Sequence, residues 1–303
     1  MSAPPSITVL GSITLDVVLN MPRFPAPGET LFALDRGLYP GGKGLNQAVA
    51  AARLGARVTL LGRVGRDPFA DILMAAADAD GIDRSGVALS ATGETGFAVP
   101  IVVAGGENAI FASPAANLEM TVDDLGPAER ITTAGIFLTQ FETPLDVVTE
   151  AIRQASSAGV PVLLNPAPVR PFDIELLRSV DILVVNEVEA GMLAPGLADD
   201  EARARALLAL GPQSIVLTLG PAGGVWARGE TAARFDAPTV EAIDTVGAGD
   251  GFCAALAVRL VEGAELGEAV RFAAAAAAIS VTRPGAAPSY PLRADVEALM
   301  ARE

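Results

Sequence analysis

The sequence has no histidine and only one cysteine among its 303 residues, and these two shortages exclude several kinds of chemistry. Without an imidazole there can be no Ser-His-Asp or Cys-His catalytic group and no histidine-containing zinc site. A single thiol can form neither an intrachain disulfide nor a four-cysteine metal site, so a reducing cytoplasm is the expected compartment. Any general base must therefore be a carboxylate, a lysine, a tyrosine or the lone thiolate.

Positive charge is also scarce. The chain has 21 lysines and arginines against 36 aspartates and glutamates, which gives a formal net charge of −15 and an isoelectric point near 4.4. A surface of this sign repels the phosphates of nucleic acids and anionic membranes, so we expect neither as a partner. Lys43 is the only lysine, and every other basic residue is an arginine. A lone ammonium group in such a chain suggests a task that a guanidinium group cannot perform.

Long apolar runs are missing as well, although hydrophobic residues make up 51% of the chain and supply ample material for a core. The alanine-rich run at residues 272–279 is far shorter than the roughly 18 residues of a membrane-spanning helix. The N-terminal residues lack a basic region ahead of an apolar stretch, so they do not have the pattern of a targeting segment. We therefore expect a soluble cytoplasmic protein.

Short runs rich in β-branched residues alternate along the chain with stretches of helical periodicity. The strand-like runs cover residues 6–11, 58–62, 135–139, 161–165, 181–186 and 214–219. The helix-like stretches cover residues 45–54, 68–77, 144–158, 202–210, 249–262, 266–281 and 293–301. Alternation of this kind is typical of βαβ units, which predict an α/β fold with a mostly parallel, doubly wound sheet.

Two segments, at about residues 15–39 and 95–111, break this alternation because neither contains a crossover helix. Residues 15–39 hold two strand-like runs around a proline-rich turn, and residues 95–111 have the pattern of a hairpin that turns at residues 105–108. We expect both to form a small β-sheet inserted into a single α/β domain of residues 1–303. Such a sheet commonly works as a lid that excludes water, but its strands could equally pair with another subunit or be a passive decoration.

The strongest motif is the glycine-rich string DTVGAGDGF at residues 244–252, which opens a helix of apolar periodicity. Gly247 and Gly249 flank Ala248, so the main chain can approach a ligand closely, and the free amides of the first turn favour an anion. Asp250 would repel a phosphate bound there unless a substrate hydroxyl group lay between them. This arrangement suits phosphoryl transfer, in which the amides hold the migrating group and Asp250 orients the attacking oxygen. The alternative is a plain helix N-cap.

A second glycine-rich string, GGKGLN at residues 41–46, precedes an alanine-rich helix. Its glycines permit turns that bring Lys43 and Asn46 against a small polar ligand. Lysine donates hydrogen bonds and asparagine both donates and accepts them, which suits the hydroxyl groups of a sugar. The spacing is not that of a Walker A loop. The alternative is a tight strand-to-helix turn with a solvated lysine, and the scarcity of lysine argues against it.

Weaker candidates follow other predicted strands. Asn186 and Glu189 could hold Mg²⁺ through water or could simply start a helix. The string TLGPAGG at residues 218–224 could face a nucleotide or form a β-turn, and Glu142 could reach the same crevice or be solvated. These segments mostly lie beyond the carboxyl ends of predicted strands, where open α/β sheets bind ligands, so they carry more weight together than separately.

Six strings in this sequence share the order and spacing of one known family: VLGSITLD at residues 9–16, GGKGLN at 41–46, NEVE at 186–189, TLG at 218–220, DTVGAGD at 244–250 and VTRPGAAPS at 281–289. Together they resemble the ribokinase (pfkB-type) family of carbohydrate kinases over essentially the whole chain. The resemblance implies a three-layer α/β/α body with a β-sheet lid, often paired between two subunits as a homodimer. It also implies transfer of the γ-phosphoryl group of ATP to a sugar hydroxymethyl group, with D-ribose as the expected substrate.

The resemblance also implies roles for individual residues. Asp250 would be the catalytic base, and the amides of Gly247, Ala248 and Gly249 would form the anion hole. The residues that would hold the sugar are Asp16, Gly42, Lys43, Asn46, Glu142 and Asp250. Those that would line the ATP and Mg²⁺ side are Asn186, Glu189, Thr218, Gly220 and Gly223. A monovalent cation, K⁺, would be bound, mostly through backbone carbonyls, by Asp244, Val246, Ser280, Arg283, Gly285 and Ser289.

Three departures from the family pattern bear on the substrate. Thr14 stands where the family usually carries asparagine, two residues before Asp16. Residues 113–117 read SPAAN where the family tends to have Gly-Ala-Asn, and Ala274 stands where the family often has a larger polar residue near the adenine. The alternatives to ribose are a ketose, deoxyribose or a nucleoside, and a non-catalytic sugar- or nucleotide-binding regulator is a less favoured alternative.

Overall fold

The computed structural model describes residues 4–91, 93–103 and 108–302. Its strands are β1 (Ser6–Leu10), β2 (Thr14–Met21), β3 (Asp35–Gly41), β4 (Arg57–Val64), β5 (Asp83–Leu89), β6 (Gly96–Val103), β7 (Asn108–Ser113), β8 (Ile136–Gln140), β9 (Val162–Asn165), β10 (Ile182–Asn186), β11 (Ser214–Thr218), β12 (Gly224–Arg228) and β13 (Thr231–Phe235). Its α-helices are α1 (Lys43–Arg53), α2 (Pro68–Ala79), α3 (Glu129–Thr132), α4 (Leu145–Ser157), α5 (Glu187–Leu193), α6 (Asp200–Leu208), α7 (Ala248–Val261), α8 (Leu266–Ser280) and α9 (Arg293–Met300). Short 3₁₀ turns lie at Ala115–Glu119, Val122–Leu125, Ile174–Ser179, Gly220–Ala222 and Ala287–Ser289. None of the helices in these ranges has the length and apolarity that crossing a membrane requires.

Nine of the strands form one sheet in the order β13-β12-β11-β10-β9-β8-β1-β4-β5. From β11 to β5 all neighbouring strands run parallel, and β12 and β13 are antiparallel at one edge. The first strand, β1, lies inside the sheet. β4 and β5 extend the sheet on one side of β1, and the strands from β8 onwards extend it on the other. The predicted mostly parallel, doubly wound sheet is thereby confirmed. Its strand order reverses between β1 and β8, which is where sheets of this kind bind ligands.

Helices cover both faces of this sheet, which explains why its central strands are mostly apolar on both faces. On β8, Ile136 and Leu138 pack into the hydrophobic cluster that includes residues of α1, α2, α7, α8 and α9. Phe137 points to the opposite face and packs into the cluster that includes residues of α3, α4, α5 and α6. Alanines such as Ala255 and Ala273 are fully buried on α7 and α8, and their small side chains let these helices approach closely. Helices α1 and α7, which carry both glycine-rich strings, therefore belong to the same packed layer.

The other four strands form a second, smaller sheet in the order β3-β2-β6-β7. β2 pairs with β3 and β6 pairs with β7 in antiparallel fashion, whereas β2 and β6 run parallel. These strands come from the two segments predicted to form a lid, and residues 105–107 of the predicted hairpin turn lie outside the described part of the chain. Asn117 ties the end of this sheet to the start of β2, because its side chain accepts a 2.8 Å hydrogen bond from the N–H of Ile13 and donates one of 2.9 Å to the Ile13 carbonyl.

Three strands of the large sheet, β5, β12 and β13, are not predicted from the sequence. β5 lies at one edge, and its first residues, 83–85, are exposed and polar, so it lacks an apolar strand pattern. β12 and β13 form a short hairpin at the other edge. Helix α6 begins two residues earlier than predicted because the Asp199 side chain accepts a hydrogen bond from the N–H of Ala202 and so caps the helix.

Candidate active site

The glycine-rich string predicted to bind an anion forms the start of α7. Gly247 caps this helix in a left-handed conformation with φ of 76°, and a Cβ there would lie 2.6 Å from the hydroxyl oxygen of Tyr290, so only glycine fits. Nothing lies within 4 Å of the position that a Cβ on Gly249 would take, so the first turn faces open space there. The N–H of Ala248 makes a long bond of 3.3 Å to the carbonyl of Thr245. The first turn of α7 can therefore offer main-chain N–H groups and the positive end of a helix dipole to an anion.

The predicted catalytic base, Asp250, lies in this same turn of α7 and is 5% exposed. Its Oδ2 accepts a 3.0 Å hydrogen bond from the side-chain amide of Asn46, and its Oδ1 accepts one of 3.1 Å from that of Gln47. Nζ of Lys43 lies 4.0 Å from Oδ1. The charge of Asp250 raises the pKa of Lys43 more than burial lowers it, and the charge of Glu142 adds to the rise, so Lys43 stays protonated.

The nitrogen donors around Asp250 all come from the start of α1, the helix that follows the second glycine-rich string. Gly42 precedes the helix with φ of 87°, and a Cβ there would lie 2.7 Å from the carbonyl oxygen of Ser12, so this turn also requires glycine. Lys43, Asn46 and Gln47 are spaced i, i+3 and i+4, which places them on one face of the helix. That face lies against the start of α7 because all three side chains approach the same carboxylate.

Two more predicted residues, Asp16 of β2 and Glu142 after β8, belong to the same cluster of charges. Burial raises the pKa of Asp16 to about 6; the hydrogen bond from Thr14 opposes this rise, and the charges of Glu142 and Asp250 add to it. Oε2 of Glu142 accepts a long hydrogen bond of 3.4 Å from the main-chain N–H of Lys43. The structure therefore brings three carboxylates and the only ammonium side chain of the protein into one cluster of interacting charges.

One buried atom beside this cluster of charges, Oδ1 of Asn46, has no hydrogen-bond partner among the residues that the structure describes. The nitrogen of the same amide is held by Asp250, so this oxygen is left as an acceptor. A buried acceptor without a partner costs roughly 1–3 kcal/mol unless a ligand supplies a donor. A sugar hydroxyl group has the chemistry to do so.

A cavity of about 360 Å³ lies next to the start of α7. Ala248 and Gly249 of α7 line one side of it, and Thr218, Gly220 and Gly223, which lie at and after the end of β11, line another. Most of its walls are apolar, as in pockets that hold the flat face of a base. The structure thus brings the nucleotide-side residues predicted after β11 to the same place as the predicted anion hole.

Asn186 and Glu189, predicted to hold Mg²⁺ through water, make a reciprocal capping box at the start of α5. The N–H of Glu189 donates a 2.8 Å bond to Oδ1 of Asn186, and the N–H of Asn186 donates a 2.9 Å bond to Oε2 of Glu189. Asn165 also donates to that oxygen, at 3.4 Å. Among the described residues, no three acidic or cysteine side chains gather into a group that could cage a metal ion. A magnesium ion would therefore need water and the phosphates of a nucleotide as its other ligands.

The residues predicted to bind K⁺ lie on two segments that the structure joins. Oδ1 of Asp244 accepts a 3.0 Å bond from the N–H of Val246, and its Oδ2 accepts one of 2.8 Å from the N–H of Gly285. The guanidinium group of Arg283 donates to the carbonyl of Ser289 at 3.4 Å. The carbonyl of Ser280, also predicted as a ligand, accepts a 3.1 Å bond from the N–H of Arg283. Backbone carbonyl oxygens, such as that of Ser280, are the right class of ligand for such an ion, and the carboxylate of Asp244 would add the negative charge.

Four polar residues of this region are not predicted from the sequence. Their contacts are the hydrogen bonds from Gln140 Nε2 to Gln47 Oε1, from the Ser12 hydroxyl to Glu142 Oε2, and from the Tyr290 hydroxyl to the Gly247 carbonyl. Gln140 could have been noticed because a polar residue ends an otherwise apolar strand, and Gln47 because it lies one residue after Asn46 in the motif. Tyr290 carries no such signal, since its partner lies 43 residues away.

Phosphoryl transfer needs a site for the migrating anion and an acceptor for the hydroxyl proton, and the first turn of α7 carries main-chain N–H groups and a buried carboxylate with the chemistry for these two tasks. A pairing of this kind suits a kinase built on an α/β fold. Residues 4–293 match the family model described as pfkB family carbohydrate kinase. The chain therefore belongs to the pfkB family of carbohydrate kinases.

Relatives of known activity and structure match nearly the whole chain. A ribokinase from Bacillus subtilis (strain 168) is 38% identical, covering 97% of this chain and 99% of its own. A deoxyribokinase from Salmonella typhimurium is 35% identical, covering 94% of this chain and 95% of its own. The structure of an Arabidopsis thaliana ribokinase complexed with ribose and ATP superposes with a TM-score of 0.90 at 34% identity, covering 98% of this chain and 99% of that chain.

Proposed function

We propose that this protein transfers the γ-phosphoryl group of ATP to the hydroxymethyl group of D-ribose and so produces ribose 5-phosphate. The observation that carries the proposal is the buried carboxylate of Asp250, which lies in the first turn of α7 and is held by nitrogen donors of α1. The charged and amide groups around it have the donors and acceptors that the hydroxyl groups of a sugar need, and the cavity next to the start of α7 could take the nucleotide. Full-length similarity to ribokinases and to a structure with ribose and ATP supports the choice of substrate.

In the proposed reaction, Asp250 orients the sugar hydroxyl group and accepts its proton. The transition state of phosphoryl transfer is loose, so the hydroxyl group loses its proton late and an aspartate of ordinary basicity suffices. The main-chain amides of Gly247, Ala248 and Gly249 would stabilise charge on the migrating group. Lys43, which stays protonated, would add positive charge on the sugar side.

The sugar would be held by side chains of the smaller sheet and of the α/β body. Asp16 and Glu142 would accept hydrogen bonds from its hydroxyl groups, and Oδ1 of Asn46 would accept another. The glycine at position 42 would let the main chain approach the ligand closely. Because Asp16 lies on the smaller sheet and the others lie on the body, sugar binding would draw the two together and exclude water.

On the nucleotide side, Thr218, Gly220 and Gly223 would line the ATP site. Asn186 and Glu189 would orient water around Mg²⁺, an ion that neutralises phosphate charge. The residues that would hold K⁺ are Asp244, Val246, Ser280, Arg283, Gly285 and Ser289. That ion would add positive charge near the start of α7.

We further propose a cytoplasmic homodimer, with residues 1–303 as one domain and the smaller sheet as both lid and interface. Large apolar side chains are exposed on β7 and on the connection between β2 and β3, including Phe32 at 86%, Leu34 at 71% and Phe111 at 63%. Apolar surface of this kind is typically covered by another protein surface. A second copy of the same sheet would cover it.

The test of the proposed reaction is an assay of ADP release over pentoses, hexoses, ketoses and nucleosides, with and without K⁺. We expect ribose to give the highest kcat/KM and Asp250→Asn to lower kcat about 10²- to 10⁴-fold while ribose binding is kept. Asp71→Asn, the same change on an exposed residue of α2, is the control and should leave kcat unchanged. An Asp250→Asn enzyme within a few-fold of wild type would remove the assignment of the base.

Deoxyribose is the second candidate substrate, and the side chain of Thr14 is the reason to include it in the assay. The Thr14 hydroxyl group donates to Asp16 at 3.4 Å, and threonine is shorter than the asparagine expected there. A shorter side chain leaves one sugar hydroxyl group less well recognised. We expect kcat/KM to favour ribose over 2-deoxyribose, and the reverse order would make the protein a deoxyribose kinase.

A further inference from the structure

Two fully buried glutamines lie behind the predicted catalytic base and form a chain of hydrogen bonds that ends on it. Nε2 of Gln140 donates to Oε1 of Gln47, and Nε2 of Gln47 donates to Oδ1 of Asp250 at 3.1 Å. A carboxylate oxygen only accepts hydrogen bonds, so the NH₂ group of Gln47 must face Asp250, and Oε1 of Gln47 is then the acceptor for Gln140. Gln140 ends β8, and Gln47 lies on α1, so the chain connects the central sheet to the start of α7.

We infer that Gln47 is a positioning residue that holds Oδ1 of Asp250 and leaves Oδ2 to accept the proton of the substrate. The inference rests on the proposed kinase reaction. Gln47 is 0% exposed, so no substrate reaches it and its bond to Oδ1 persists when a sugar binds. Lys43 lies on the same side of the carboxylate, 4.0 Å from Oδ1. Asn46 bonds to Oδ2, and its own Oδ1, which has no partner among the described residues, is left for the sugar in the proposed reaction.

The glutamine pair lowers the stability of the fold, a cost that two apolar side chains at these positions would avoid. Oε1 of Gln140 is buried without a hydrogen-bond partner among the described residues. It lies so close to Gly11 that a Cβ there would be 2.1 Å away, so this glycine makes room for the amide. A buried unsatisfied oxygen destabilises the fold, whereas two apolar side chains of similar shape would fill the same space without this penalty. Orientation of Asp250 is the benefit that explains why amides occupy these positions.

The first test replaces the donor with a side chain of similar shape. We expect Gln47→Met to lower kcat about 10- to 100-fold, the range by which misplacement of a reacting group slows a reaction, while the calorimetric Kd for ribose changes less than about 3-fold. Gln140→Met should lower kcat by a smaller factor, because Gln47 keeps its own donor. Gln154→Met on α4 makes the same chemical change away from the site and should leave kcat unchanged.

The second test distinguishes positioning from a general loss of packing. The Gln47→Glu variant carries a donor toward Asp250 only when its new carboxyl group is protonated. The ratio of its kcat to that of wild type should therefore rise at least about 5-fold as the pH falls from about 8 to about 5.5. Asp16, Glu142 and Lys43, the other charged groups near Asp250, are present in both proteins, so their effects largely cancel in this ratio.

The outcomes separate the inference from the proposed function. A wild-type enzyme that releases no ADP with any sugar would overturn the kinase reaction and the role of Gln47 with it. An active wild type with full kcat in Gln47→Met would overturn the positioning role alone. If Gln47→Met does not fold, the pH ratio of Gln47→Glu decides, and a ratio that stays flat between those pH values counts against the inference.

Discussion

The hydroxyl group of Tyr290 donates a 3.0 Å hydrogen bond to the main-chain carbonyl of Gly247, the residue that caps the start of α7. Burial raises the pKa of this tyrosine well above its usual value, so the hydroxyl group stays protonated and remains a donor. The ring also lies against Gly251, where a Cβ would come within 3.0 Å of it. Arg53 of α1 donates to the Tyr290 carbonyl at 3.2 Å, which ties this loop to the sugar-side helix.

This bond leads us to expect that Tyr290→Phe weakens the proposed anion hole without disturbing the residues proposed to hold the sugar. Loss of one buried hydrogen bond costs about 1 kcal/mol, which corresponds to a kcat lowered about 5-fold if the bond acts mainly on the transition state. The ribose KM should stay within about 2-fold, because the lost bond ends on the main chain of Gly247, which is not one of the residues proposed to hold the sugar. Steady-state kinetics with ribose and ATP measure both values. An unchanged kcat would show that the left-handed turn at Gly247 keeps its conformation without the bond from Tyr290.

The raised pKa of Asp16 makes this residue a source of instability at neutral pH. Its pKa in the folded protein is about 6, against 3.8 for the free side chain, so the folded state favours the protonated form. The stability that this preference provides is fully present below about pH 3.8 and is lost as the pH rises through about 6. The ionised carboxylate then costs on the order of 2–3 kcal/mol relative to the protonated one.

We therefore expect Asp16→Asn to stabilise the sugar-free protein by on the order of 2 kcal/mol near pH 7.5 and by much less near pH 4, while ribose binding is lost. Urea unfolding of wild type and variant at both pH values measures this difference. Asp35→Asn, on the neighbouring strand β3 and exposed, is the matched control. An equal gain at both pH values would contradict the role of burial.

Most of the fold follows from the sequence because each central strand is buried on both faces and carries a continuous apolar run. The predicted runs at residues 6–11 and 135–139, for example, overlap β1 and β8. The edge strand β5 was not predicted because one of its sides meets solvent and its first residues are polar. Edge strands lose the pattern that identifies central ones.

Apart from the residues that the family resemblance supplies, the site was predictable mainly where its chemistry depends on local main-chain geometry. Gly42 and Gly247 are visible in the sequence because left-handed turns at helix starts require glycine. The contacts of Gln140 and Tyr290 depend on side-chain packing between elements far apart in the chain, and no local pattern encodes them. The capping box of Asn186 and Glu189 was one of two interpretations open from the sequence, and the structure contains it.

The cavity beside α7 offers little with which to distinguish one purine base from another. Among the residues that line it, the only polar side chains are those of Thr218, Thr239 and Thr245. Ala274 stands on its α8 side, so no amide or carboxylate there reads the edge of the base. Apolar pockets reject ligands that differ by one polar group only weakly.

We expect GTP to support the reaction with a kcat/KM within about 100-fold of that for ATP. Ala274→Asn would supply an amide and should change the ratio between the two nucleotides, and urea unfolding checks that the variant folds, because Ala274 is only 5% exposed. Ala202→Asn, on an exposed position of α6, controls for the chemical change away from the cavity. A much stronger rejection of GTP by wild type would mean that main-chain groups read the base.

Ala115 adopts a left-handed conformation that glycine adopts at lower cost. Its φ of 44° is the only positive value found at a non-glycine residue in the described part of the chain. The turn that begins at Ala115 helps to hold the start of β2 in place. It carries Asn117, whose side chain bonds to both main-chain groups of Ile13 just before β2. A left-handed alanine costs about 1–2 kcal/mol relative to a relaxed backbone, and the larger entropy of glycine in the unfolded chain offsets part of any gain.

Ala115→Gly should therefore raise the free energy of unfolding by about 0.5–1 kcal/mol and leave kcat and the ribose KM unchanged. Ala202→Gly, in the exposed first turn of α6, should lower it by up to about 1 kcal/mol, because there glycine only adds entropy to the unfolded state. Urea unfolding of both variants and of wild type measures the two changes in the free energy of unfolding, which should have opposite signs. A loss of stability in both would show that the turn at Ala115 is relaxed and that its alanine is accommodated without strain.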